Sequence, residues 1–306
     1  MADGDSHPRP PTRLIAADQL KALSVRDDAR ALLQMAGHLV FLACSAALLT
    51  VTRETWFLAG PAMLLHGWIL LALFAPLHET SHFTPFTSRG VNTAIGWVCG
   101  LVTLLNWHYY QLLHFAHHRH TQDPARDPEL SPPAPATRLQ YLWRLTGWQA
   151  WRGRLRALGL LALGRTAHFP FILPAHAARV IASARAQLAA TLAIVALAAA
   201  SGRADLVLLH WIGPMLLAQP LMRAYLLAEH TGCSTDANGL TNTRTTYTNR
   251  FVRLTMWNMP FHAEHHLYPS LPFFALPAAH RHLSHRLAHI GRGYGRTSAG
   301  IYRSLN

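Results

Sequence analysis

TWFLAGPAMLLHGWILLALFAPLHETSH, residues 55–82, decides how the chain reads. Residues 55–77 carry no formal charge and exceed the roughly 20 residues a helix needs to cross a bilayer. The run then passes directly into His78-Glu79-Thr80-Ser81-His82. Positions i and i+4 project from one face of a helix, so these two imidazoles stand together. Upstream, residues 34–52 form a second apolar run, and Arg53 and Glu54 between the two read as a tight hairpin. Residues 186–201 and 204–228 repeat the arrangement around Ser201-Gly202-Arg203. Two shorter runs, 94–105 and 157–164, are too short to span and read as re-entrant or interfacial. The expected fold is an all-α integral membrane protein with four transmembrane helices in two hairpins. Residues 1–33, Pro-rich and without a cleavable-signal pattern, read as a loose cytoplasmic tail; 34–290 form the membrane domain and 291–306 a C-terminal tail.

Composition agrees. Of 306 residues, 51% are hydrophobic and only 13% charged, against about a quarter charged in soluble domains. Cys44, Cys99 and Cys233 are too few and too scattered for a disulfide framework or a thiolate cluster. The net charge of +13 could serve nucleic acid or an anionic membrane. Placement decides: 24 of the 27 basic residues fall in the two termini and the 78–185 loop. Those segments share one side of a four-span protein, which the positive-inside rule makes cytoplasmic. No basic fold separable from the spans exists, so nucleic-acid binding is excluded. Arg-over-Lys and Ala-rich usage hints at a GC-rich bacterial genome; if the source is prokaryotic, the membrane is the inner one.

Three histidine boxes follow the spans on that face. After His78/His82 come His114-Phe115-Ala116-His117-His118 and His262-Ala263-Glu264-His265-His266. One His-x-x-x-His alone reads as a wet surface helix; three boxes on one membrane face form a cap of imidazoles. Neutral imidazole is a preferred ligand for iron, zinc, copper and nickel. Eight such ligands exceed what one four- to six-coordinate ion uses, so two metals follow. Glu79, Glu229, Glu264, Asp123, Asp127 and Glu129 lie in or beside the boxes. They are candidates to accept the hydrogen on the far nitrogen of a ligating ring. For Asp127 and Glu129 a solvated loop is an equal alternative. His120 points away from His114 and His118. His38, His66 and His210, inside spans, read as imidazoles bonded to neighbouring helices. His280, His282, His285 and His289, with Arg281, Arg286 and Arg292, read as a basic interfacial helix. Trp107, Tyr109, Tyr110, Trp257 and Phe261 flank the boxes and read as an interfacial aromatic belt, with tunnel lining the alternative.

The order of the boxes, the run-on Leu267-Tyr268-Pro269 with Pro272, and His118-Arg119-His120-Thr121 leading to Asp127-Pro128-Glu129 resemble the membrane-bound fatty acid desaturase and hydroxylase superfamily. The likeness covers about residues 60–285. It implies a non-haem di-iron centre held by His78, His82, His114, His117, His118, His262, His265 and His266, and oxygen-dependent attack on an unactivated C–H bond. Leu227-Ala228-Glu229-His230-Thr231-Gly232 is similar to the Glu-His-x-Gly of the alkane-hydroxylating branch, which adds His230 as a ninth ligand. The implied activity is oxidoreductase chemistry in lipid metabolism: a double bond introduced into a fatty acyl chain, two iron ions as cofactor. The sequence holds no His-Pro-Gly-Gly of a fused cytochrome module, so electrons would come from a separate ferredoxin, rubredoxin or cytochrome docking on the basic face. A hydroxylase or ketolase acting on an alkyl chain, carotenoid or lipid headgroup is the near alternative. A divalent-metal transporter is the alternative of another class, but it predicts ligands at mid-membrane within inverted repeats.

Overall fold

The computed structural model describes residues 14–306. Helices run in the order α1 (Ala17–Leu23), α2 (Asp28–Thr52), α3 (Trp56–Ala72), α4 (Phe74–Ser81), α5 (Arg89–Thr103), α6 (Trp107–His120), α7 (Arg138–Leu145) and α8 (Trp148–Ala162). They continue with α9 (Pro174–Ala200), α10 (Ala204–Val207), α11 (Gly213–His230), α12 (Arg250–Thr255), α13 (His262–Leu267), α14 (Leu276–Leu283) and α15 (Tyr294–Ser304). Two three-residue strands, β1 (Thr245–Tyr247) and β2 (Ile290–Arg292), pair in parallel.

Four segments are long and apolar enough to cross a membrane: Asp28–Thr52, Trp56–Ser81, Pro174–Ala200 and Ala204–His230. The expected all-α, four-span fold is what the chain adopts. The pattern of exposure is that of a lipid-facing protein. Leu39, Val40, Val51, Leu192, Leu197, Leu216 and Leu221 are exposed on the spans, where water would penalise a patch of that size. Polar groups turn inward instead: His38 Nε2 lies 3.1 Å from the Ile69 carbonyl, and Ser45 Oγ lies 2.8 Å from His66 Nδ1. These are the helix-bonded imidazoles anticipated for the spans.

Prolines shape both inner spans. Pro76 has no N–H and its ring crowds the carbonyl four residues back, so α3 ends at Ala72 and α4 restarts at Phe74. The bend carries the helix past the expected end at residue 77 and places His78 on α4. Pro214 likewise frees the carbonyl of His210 at the end of a π-helical turn, Leu208–Ile212. His66 Nε2 lies 3.0 Å from that carbonyl and donates to it from the neighbouring span. Beside this contact α3 and α11 approach closely. A Cβ on Gly67 would lie 1.9 Å from the Pro214 carbonyl oxygen. Both spans end at the same place, delivering His78 and His230.

The third span is longer than expected, because the helix continues through the polar turns of 174–185 before its apolar stretch. The shorter runs form α5 and α8. Element boundaries at the termini also differ. Residues 1–13 of the expected tail lie outside the described residues. The remainder holds α1 and the start of α2, and Ile15 is buried in the core because it packs under these helices. Residues 291–306, read as a tail, carry α15, whose Tyr294 ring lies 4.7 Å from Tyr225 of α11. The amphipathic spacing around buried Ile301 drives that packing.

Candidate metal centre

Four elements bring the boxes together. His78 sits on α4 and His82 caps it. The helix α6, N-capped by Asn106, whose side chain accepts from Tyr109 N at 3.0 Å, carries His114, His117 and His118. His230 ends α11, and the short α13 carries His262, His265 and His266. β1 holds α13 in place through Thr245, whose hydroxyl bonds Glu264 and accepts from Ala263 N at 3.3 Å.

All nine histidines converge, in two groups. Donor atoms of His78, His82, His114, His118 and His265 lie within 4.8 Å of one another, as do those of His117, His230 and His266. His262 joins the second group, its Nε2 lying 3.1 Å from Nε2 of both His230 and His266. The second and third boxes each split. His114 and His118, one turn apart, enter the first group while His117 turns to the second. His262 and His266 enter the second group while His265 turns to the first. The groups touch where the His118 and His266 rings stack at 4.2 Å.

Cations suit these groups. His118 Nε2 lies 2.9 Å from His114 Nε2 and 3.1 Å from His265 Nε2. One proton can bridge only one such pair. An ion with metal–nitrogen bonds of about 2.1 Å holds adjacent ligand nitrogens about 3 Å apart. The buried nitrogens His82 Nε2 and His78 Nε2 have no hydrogen-bond partner among the described residues. Burial pushes His82 down to about 3. It also holds His114, His118, His262, His265 and His266 well below the usual imidazole range, helped by the charges of neighbouring histidines. That shift favours the neutral ring, the form that binds metal. His117 differs: burial lowers it, but the Glu129 charge and the Asp127 hydrogen bond outweigh burial and raise it.

Of the six acids singled out, three reach a box imidazole. Asp127 lies 2.9 and 3.0 Å from His117 Nδ1 and also accepts from Gln122 N and Glu129 N, each at 2.9 Å. Glu129 lies 3.4 Å from His114 Nδ1, and Glu229 3.5 Å from His262 Nδ1. The other three have different partners. Glu79 accepts from Thr84 Oγ1 at 2.9 Å and Phe273 N at 2.7 Å, tying α4 to the segment after α13. Glu264 bonds Thr245 and His280 Nδ1. Asp123 pairs with exposed Arg126 at 2.7 Å. On their short helices a one-residue offset turns Glu79 and Glu264 away from the adjacent box imidazoles, and Asp123 lies in the turn after α6.

Sequence reasoning missed His280. α14 folds back over α13, so His280 lies between Glu264 and the Tyr247 hydroxyl, 2.7 Å from its Nε2. No local spacing announces a contact 16 residues away. The aromatic belt is also corrected. Trp107, Tyr110, Trp257 and Phe261 are buried, because they fill the interior around the boxes, and Trp107 Nε1 donates to Thr80 Oγ1 at 3.1 Å. Tyr109 and Tyr110 line a cavity of about 300 Å³ that reaches His117 and His230. A chamber of about 30 Å³ lies next to it against both histidine groups, at His78, His114, His117 and His262.

The family model for fatty acid desaturases matches residues 54–298. Among curated proteins the chain is similar to the dihydrorhizobitoxine desaturase of Bradyrhizobium elkanii, 25% identical over 262 residues, covering 80% of this chain and 72% of that protein.

Proposed function

The chain belongs to the fatty acid desaturase family, and from that premise we propose that it is an oxygen-dependent, non-haem di-iron membrane oxidoreductase that introduces a double bond into a fatty acyl chain. The carrying observation is the convergence of nine imidazoles into two groups. In this reading His78, His82, His114, His118 and His265 hold one iron, and His117, His230, His262 and His266 the other. When bound, the irons supply the oxygen activation and redox capacity that breaking an unactivated C–H bond requires. The chain's own residues do the rest. Asp127 fixes His117 with its proton on Nδ1, leaving Nε2 free to ligate. Glu129 does the same for His114, while Glu229 lies near His262 Nδ1 without hydrogen-bonding it. Phe74, Tyr110, Met256 and Met259 wall the small chamber and keep bulk water out. Desaturation takes two hydrogens from the substrate; O₂ leaves as two waters, using two further electrons and protons from a separate donor. A ferredoxin, rubredoxin or cytochrome docking on an arginine-rich cytoplasmic face fits that need, with both termini on the same side.

Hydroxylation is the second reading. His230, which lies 3.1 Å from His262, stands in the Glu-His-x-Gly that resembles the alkane-hydroxylating branch. Mass spectrometry of lipids and small acids from a host expressing the chain under ¹⁸O₂ separates the two. The expected products are lighter by two hydrogens and absent with H265A. Products carrying one labelled oxygen would replace desaturation by hydroxylation.

A further inference from the structure

Arg223 lies inside the fourth span, where a charge is costly and marks function. It stands seven residues before His230, about 10 Å along α11, on the face shared with Leu226, Leu227 and His230. That face lines the 300 Å³ cavity. Two more arginines, Arg144 of α7 and Arg154 of α8, line the same cavity. Both are held by backbone: Arg144 Nη2 donates to the Pro132 carbonyl at 2.8 Å, and Arg154 Nη1 to that of Thr103 at 3.1 Å. Among the described residues, no carboxylate lies within 4.0 Å of any of the three guanidinium groups. Burial and then the Arg223 charge push Arg154 down to about 10. Three cations thus crowd a site that has room for on the order of ten heavy atoms at about 30 Å³ each. Glu129 and Glu229 border both the cavity and the small chamber beside the histidines.

We propose that Arg144, Arg154 and Arg223 bind an oxyanion head, carboxylate or phosphate, of a compact acyl substrate that enters the cavity whole, so that the reacting C–H lies within about 10 Å of the head. Guanidinium forks bind either oxyanion in bidentate fashion. Arg223 stands about 10 Å before His230 along α11, so a head held by the arginines leaves the chain to run toward the small chamber. An uncharged acyl ester of a membrane lipid would give the three guanidinium groups no oxyanion to bind. The inference rests on the proposed desaturase reading for its catalytic consequence, but its binding test does not need turnover.

The test is calorimetric titration of the holoprotein in phosphatidylcholine nanodiscs, corrected for empty nanodiscs. The probes are octanoate, octyl phosphate and octanol, and iron is assayed on every sample. Octanoate or octyl phosphate should bind at least tenfold tighter than octanol, the tighter of the two identifying the head. R223Q and R154Q should each weaken the anion at least tenfold and leave octanol unchanged; R296Q, at an exposed site on α15, should change neither. If R223Q fails to insert, R154Q carries the test. Equal affinity for octanol and the anions, no binding of either anion, or full affinity in the folded arginine variants would overturn the proposal. Iron at two per chain without a head preference would sink this inference alone. A head preference without iron would sink the di-iron reading alone.

Discussion

H265A should reduce desaturation to background, a loss of at least a hundredfold, and lower iron from about two per chain toward one, while the protein still inserts and purifies normally. His265 is the third box's contribution to the first group. Its ring lies 4.6 Å from His78, 4.7 Å from His82 and 4.8 Å from His118, so its loss opens the centre of the five-histidine set. Insertion is governed by the four apolar spans, none of which contains residue 265. The matched control is H120A, on the helix that carries the second box but in neither group. It should keep activity and iron. Product analysis with iron assay on size-exclusion-purified protein checks both. Full activity in H265A would remove the third box from the site.

D127N should lower affinity for iron by about 10- to 100-fold. Asp127 has two jobs that this substitution affects unequally. It is the N-cap of the Pro128–Leu130 turn, accepting from Glu129 N, and Asn caps a helix about as well as Asp. It also holds His117 Nδ1 between both carboxylate oxygens. An amide keeps the shape but loses the charge and one acceptor, so the imidazole loses the partner that fixes its tautomer and raises its basicity. Iron competition against a chelator reads the affinity, and thermal unfolding reads the cap. Weaker iron with only a small drop in melting temperature is the expected pair, because the amide nitrogen replaces one of the two oxygens that accept from Gln122 N and Glu129 N. Unchanged iron affinity would confine Asp127 to its capping role.

The two hairpins were legible because hydropathy alone sets where helices can sit in a bilayer, and the histidine spacings were legible because a helix repeats every 3.6 residues. Boundaries were less so. Pro76 breaks α3 from α4 yet the chain stays helical to His78, and the polar start of α9 is helix without being apolar. The grouping of ligands followed the same helical rule at finer grain: His114 and His118 share a face that His117 leaves by about 100°. Partners distant in sequence left no such mark. Glu264 and His280 meet only because α14 returns over α13, and Arg144, Arg154 and Arg223 come from three helices to one cavity. Tyr109 and Tyr110, beside the second box, were the aromatic residues of its lining that the sequence marked.

Iron analysis of the purified chain, with H82A and H230A beside the wild type, tests the two-centre assignment most directly. His82 belongs to the first group and His230 to the second. Two centres should give about two irons per wild-type chain and about one in each variant, lost from different sites and thus leaving different residual Mössbauer spectra. One iron or none in the wild type, or two irons retained in both variants, would overturn that assignment.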